Sequence, residues 1–350
     1  MLRSALLLCA ALLAAITFAC VLVPPPAPSG SPPEAALPTA PSARIAAACT
    51  FDVNRVVAKL TPGFDSEAYG NCKSEICLAS PPTPDNSEPA LDPDIATTIQ
   101  QVFEHSSPNF QTEMCKLDHI YIDTDPMSVN RAPWGMRERA RNGRWHIGIP
   151  LTTLNNFSDY SSLETSIINS LLGTAWTDIV AAAPNTREMM MAAILAHEMG
   201  HIVWWALPVP PGICNGDDFF LSWRSVIRSP ARGFHQFGKE IAGNMPIEGY
   251  KFSTIKNDVA AGDLRKLSKV YSSGRWPSLF GFVAPDEDFI ETYKLITLSA
   301  RTSSPLTNLW VTIPTSNPVS IDMVSMLNDV NTTLNLKQQW INGNSCVGTP

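Results

Sequence analysis

The sequence predicts an α+β protein, and three observations carry that prediction. Two short runs rich in β-branched and aromatic residues, 117–123 and 145–149, have the composition and alternation of strands. A run from Met189 to Ala206 is almost wholly apolar, with His197, Glu198 and His201 its only ionisable residues. That pattern fits a helix buried on all sides. A third segment opens Pro285-Asp286-Glu287-Asp288, a proline followed by an acidic first turn, which is how helices begin.

The chain has 350 residues, and the first 44 read as export signal and spacer. Arg3 precedes an apolar run to Ile16, and Thr17-Phe18-Ala19 before Cys20 is a candidate cleavage site, so residues 1–19 are expected to be a signal peptide. Lipidation at Cys20 and an uncleaved anchor over Leu2–Val23 are the alternatives, either of which would tether the chain to a membrane. Residues 20–44 form a linker: the stretch 24–44 holds eight prolines and few large apolar groups, so it cannot build a core. The expected location is secreted or extracytoplasmic. The whole chain is 45% hydrophobic, enough for a sizeable core, and its net charge of −7 argues against a nucleic-acid partner held by a broad basic face.

Residues 45–93 are rich in Pro, Asp, Ser and Cys and are expected to be loop-rich and disulfide-stapled, ahead of a catalytic domain over 94–350. Six cysteines follow the linker: Cys49, Cys72, Cys77, Cys115, Cys214 and Cys346. An even number in an exported chain points to disulfides, with the pairing open. A helix is expected from Asp94 to Glu104 and another from Ser161 to Trp176. Between them lie the two strands, the second preceded by the turn signal Asn142-Gly143 and ended by Pro150. Trp145–Ile149 is the expected sheet edge, with His146 an ordinary strand residue. Asn185 is the expected N-cap of the long apolar helix, with Glu188 as its capping-box partner. Pro208, Pro210 and Pro211 stop that helix.

Within it stands His197-Glu198-Met199-Gly200-His201. Residues four apart share a helical face, so the two imidazoles can bind one metal ion while Glu198 projects beside them to take a proton. Three ionisable groups on a buried helix are costly without partners, and a metal supplies the partner. The ion expected is Zn2+, one per chain, with a third protein ligand and an open position. A metzincin would continue with Gly at 204 and His or Asp at 207; the residues here are Trp204 and Leu207. The third ligand is therefore sought among Glu240, Glu248, Glu287 and Glu291. Glu287 and Glu291 are four apart on one face, so one can ligate while the other orients a ligand histidine. An acidic cluster that merely complements the helix dipole is the plainer reading.

His197-Glu198-Met199-Gly200-His201 together with Glu287-Asp288-Phe289-Ile290-Glu291 resembles the glutamate-ligand zincins, and most closely the exported bacterial zinc-binding metallopeptidases with H-E-x-G-H and E-D-F-x-E motifs. The resemblance covers mainly residues 186–300. It implies that His197, His201 and Glu287 bind zinc, that Glu198 is the general base, and that Glu291 supports a ligand. It also implies a zincin-like fold: a mixed sheet and active-site helix in one lobe, a mostly helical second lobe, and a protein or peptide substrate between them. Two positions depart from the family pattern. Ile290 replaces the usual Ala, and Phe280 stands where the family carries a Tyr that stabilises the oxyanion. Tyr271, Tyr250 and His235 are the candidate replacements. A zinc protein that binds a partner or wall component without cleaving it, and an exported structural or adhesion domain with an accidental motif, are the competing functional readings.

Overall fold

A computed structural model describes residues 49–70, 81–87, 91–128, 131–137, 144–206 and 246–343. The expected export signal and linker, His235, Glu240, Cys72, Cys77, Cys214 and Cys346 lie outside the described residues. The architecture is α+β, with two sheets and twelve helices among those residues.

The first sheet contains β1 (Val57–Leu60), β2 (Pro84–Asp85), β3 (Leu117–Asp123), β4 (Trp134–Arg137) and β5 (Trp145–Pro150), in the order β2-β1-β3-β5-β4. Its centre, β1-β3-β5, is parallel, and the short edges β2 and β4 are antiparallel to their neighbours. Alternation along β3 and β5 divides the faces. Ile120, Ile122, Ile147 and Ile149 enter the main core. Tyr121 on the other face joins Leu60, Trp134 and Met136 in a small second cluster. The second sheet, β6 (Val180–Ala183), β7 (Asn308–Ile313) and β8 (Val319–Asp322), is antiparallel in the order β6-β7-β8.

In chain order the helices are α1 (Val53–Val56), α2 (Ser66–Gly70), α3 (Pro93–His105), α4 (Pro108–Met114), α5 (Leu151–Asn156), α6 (Tyr160–Leu172) and α7 (Arg187–Ala206). Then follow α8 (Phe252–Ala260), α9 (Arg265–Ser272), α10 (Pro285–Ser299), α11 (Met323–Asn328) and α12 (Thr333–Gly343). Helix α7 is the central post. It packs on α10, β4, α3 and α6, and residues from Met189 to Ala196 are buried without a break. Each large apolar side chain so buried contributes about 1.5–3 kcal/mol.

Several expectations change. β5 is not the sheet edge: it lies between β3 and β4, and all six of its residues are buried. The edge on that side is β4, a four-residue strand that Pro133 before it and Gly135 within it conceal in the sequence. The stretch expected to be loop-rich supplies β1, which lies inside the first sheet rather than beside it. The chain beyond α10 is not only helical, because β7 and β8 pair with β6 from before α7.

The helix starts also differ. The Thr186 hydroxyl accepts from Met189 N–H at 3.0 Å, whereas Asn185 accepts from Ser161 N–H at 2.8 Å and so ties α6 to the start of α7. Glu188 forms no capping box; it pairs with His105 at 2.9 Å and with Arg301. The helix expected from Ser161 to Trp176 runs from Tyr160 to Leu172, and Asp159 caps it, accepting from Ser162 N–H at 2.9 Å. Cys49 and Cys115 are disulfide-bonded, which pins the described N-terminal end beside α4. Among the described residues no helix is long and apolar enough to cross a membrane.

Candidate metal centre

Two helices build the centre. α7 presents His197 and His201 one turn apart, with ring centroids 5.0 Å from each other. α10 brings Glu287 to both: its carboxylate oxygens lie 3.9 Å from His197 Nε2 and 3.9 Å from His201 Nε2. These three side chains converge so that their ligand atoms all fall within 4.8 Å of one another.

The helices approach closely because residue 200 is glycine. A Cβ there would stand 3.1 Å from Ile290 Cγ2 and 3.2 Å from Ile290 Cα. Ile290, bulkier than the Ala of the resembling family, is therefore accommodated by the missing side chain opposite. Gly135 plays the same part for the sheet. A Cβ on it would fall 2.1 Å from the carbonyl oxygen of Glu198, so only glycine lets β4 press against the helix at this residue.

Behind His197 runs a chain of buried charges. Glu291 Oε1 is 2.7 Å from His197 Nδ1, which leaves Nε2 facing Glu287. The other oxygen of Glu291 accepts from the Ser278 hydroxyl at 2.5 Å and from Lys294 Nζ at 2.9 Å. Lys294 then donates to Glu164 at 2.6 Å. Ser278, Lys294 and Glu164 were not legible as site residues. Lys294 had a faint signal, three residues after Glu291 on the same helix; Glu164 had none.

Electrostatics separate the groups. Burial alone would push Glu291 up, but Lys294 and the hydrogen bonds from His197 and Ser278 outweigh it and hold the carboxyl well below its usual range. Burial pushes Glu198 up to about 7, against the opposing charge of His197. Burial, reinforced by Asp286, Glu291 and Glu198, pushes Glu287 up to about 8. Burial and the neighbouring His197 push His201 down to about 3, so it is a neutral imidazole. Burial would lower His197 too, but Glu291, Glu198 and Glu287 raise it to about 9.

The donor set fits a zinc ion. Two imidazoles and a carboxylate are a common catalytic zinc triad. Glu287 Oε2 is buried with no hydrogen-bond partner among the described residues, a costly state that a cation relieves. Two ligands on a tetrahedral zinc stand about 3.3 Å apart, so small side-chain rotations close the 3.9 Å gaps.

The remaining sequence candidates fall elsewhere. Glu248 accepts from Trp276 Nε1 at 3.1 Å and lies 3.3 Å from Arg275, away from the triad. Tyr271 is buried on α9 with Glu164, Glu291 and Lys294 as its charged neighbours, and Tyr250 packs on Phe282 with ring centroids 6.0 Å apart. Both hydroxyls are buried. Phe280 stacks almost parallel on the His197 ring, with centroids 5.6 Å apart and planes at 10°. Its ring fixes the imidazole but has no hydrogen to donate.

The acidic head of α10 serves more than the helix dipole. Asp288 is fully buried and accepts from Lys337 Nζ at 2.6 and 2.7 Å, Glu287 turns to the histidines, and Glu291 one turn on supports one of them. Comparison with known proteins adds nothing to this geometry: no protein-family model matches the chain, and no curated protein or solved structure is significantly similar to it.

Proposed function

We propose that the chain is an exported zinc-dependent endopeptidase of zincin-like fold. The observation that carries this reading is the convergence of His197, His201 and Glu287 beside a buried Glu198. The leader-like N-terminus supports export, and the substrate class is a protein or peptide.

His197, His201 and Glu287 hold the zinc, which supplies Lewis acidity for a peptide carbonyl and for water. Glu198 takes a proton from the attacking water and returns it to the leaving nitrogen. Its buried carboxyl sits on the helix turn between the two histidines, which places it for both transfers. Glu291 holds His197 by Nδ1 and so keeps Nε2 directed inward. β4 is the last strand on its side of the sheet among the described residues and touches α7 at Glu198, so an extended substrate can pair with it by strand addition beside the base.

The test is zinc per chain by elemental analysis of the purified protein, with Glu287→Ala alongside. The proposal expects the variant to lose one equivalent while staying folded; no loss would remove Glu287 from the ligand set. The second reading is a zinc protein that binds a partner and does not cleave it. Phe280 favours it, because the loss of one oxyanion donor typically costs about 10²–10³ in rate. That reading expects full zinc and no turnover.

A further inference from the structure

The chain has six histidines, and four of them fall into two groups of converging ligands. The second group is Asp118, His119 and His146, whose ligand atoms also lie within 4.8 Å of one another. We propose that it is a second binding site for a divalent transition metal of the zinc class, separate from the proposed catalytic centre and independent of it.

The backbone builds this group deliberately. β3 and β5 pair in register from His119↔His146 onward, but the register shifts between Leu117 and His119. Asp118 is the extra residue of that bulge. Without it, Asp118 and His119 would point to opposite faces; a bulge re-aims a side chain. Here it lets Asp118 reach His119, with Oδ2 3.1 Å from Nδ1. A hydrogen bond needs only those two groups. The third donor, His146, comes from the next strand, is 1% exposed, and has its ring 6.2 Å from that of His119.

The site lies on the sheet face opposite α7. His119 and His146 share that face with Tyr121, whose ring stacks on His119 at 5.0 Å and leans on His146 at 5.8 Å. The two sites are therefore on opposite sides of one sheet. His146 gives the group a buried floor, while Asp118 and His119 have side chains 33% and 22% exposed and leave an entry path. Arg144 Nη1 stands 3.5 Å from Asp118 Oδ2, beyond a good hydrogen bond, on a side chain 53% exposed that can withdraw into water. Two imidazoles and one carboxylate suit zinc or its borderline neighbours and not calcium or magnesium, which take mostly oxygen. An ion here would clip the bulged end of β3 to β5.

The experiment uses the full chain without a histidine tag. It is stripped with chelator and titrated with Zn2+ alone, and bound zinc is counted after gel filtration. The inference expects two equivalents in wild type, one in His119→Gln, one in the His197→Ala/His201→Ala double variant, and none when the three changes are combined. Asp118→Asn, a milder change, should weaken the second equivalent at least tenfold. Circular dichroism checks that each variant is folded. Unchanged zinc binding in both folded His119→Gln and folded Asp118→Asn would overturn the inference, as would a folded double variant that binds none. Loss in His119→Gln with no loss in the double variant would support this site and sink the proposed catalytic one, so the two ideas fail separately.

Discussion

Ser278 donates to the one oxygen of Glu291 that does not face His197, and its own Oγ accepts from Gly281 N–H at 3.1 Å. That small hydroxyl therefore helps fix the carboxylate that fixes the ligand. Ser278→Ala should leave the fold intact and weaken zinc binding at the proposed catalytic site about tenfold, since partners that orient ligands typically contribute 10–100-fold. Competition with a chromogenic chelator reads this, and unchanged affinity would remove Ser278 from the support. His197, Glu198 and His201 were legible in the sequence because their spacing has one helical meaning. Ser278 was not, because a serine thirteen residues from Glu291 in a loop has no period to betray it.

At the scale of elements, α7 and α10 meet where Gly200 faces Ile290. Gly200→Ala should overpack that contact and cost about 1–3 kcal/mol, measured by denaturant unfolding. Adding Ile290→Ala should recover much of the loss; strictly additive effects would show that the two residues are not coupled. The β7–β8–α11 junction gives a pH-dependent case. Asp322 accepts from Leu309 N–H at 3.0 Å, Val324 N–H at 3.1 Å, Asn308 at 2.9 Å and Ser325 at 2.7 Å. Burial alone would raise its carboxyl, but these bonds hold it below the usual 3.8. A depressed carboxylate contributes stability above its unfolded pKa and loses it as pH falls through the folded one. Asp322→Asn should therefore destabilise by about 2–3 kcal/mol at pH 7, from lost charge-assisted bonds. The gap to wild type should narrow below pH 4; a gap independent of pH would contradict the assignment.

At the scale of the whole molecule, the sequence exposed what local periodicity encodes and hid what long-range pairing decides. The helix 187–206 and the strand 117–123 were legible from their own residues. The position of β5 inside the sheet was not, because it depends on β4, whose Trp134-Gly135-Met136-Arg137 is too short a run, with a glycine inside it and Pro133 before it, to stand out as a strand. Gly148 was equally silent: a Cβ there would collide with the Trp134 indole at 2.0 Å, a relation visible only once the strands are paired. The centre between α7 and α10 is proposed to hydrolyse peptide bonds with Glu198 as the base. The direct measurement is cleavage of an unfolded protein substrate, followed by mass spectrometry, by zinc-loaded wild type and by Glu198→Gln at equal zinc content. This chemistry requires cleavage by wild type and a loss of at least about 10² in the variant. Equal cleavage by both, or none by a zinc-loaded wild type, would contradict it.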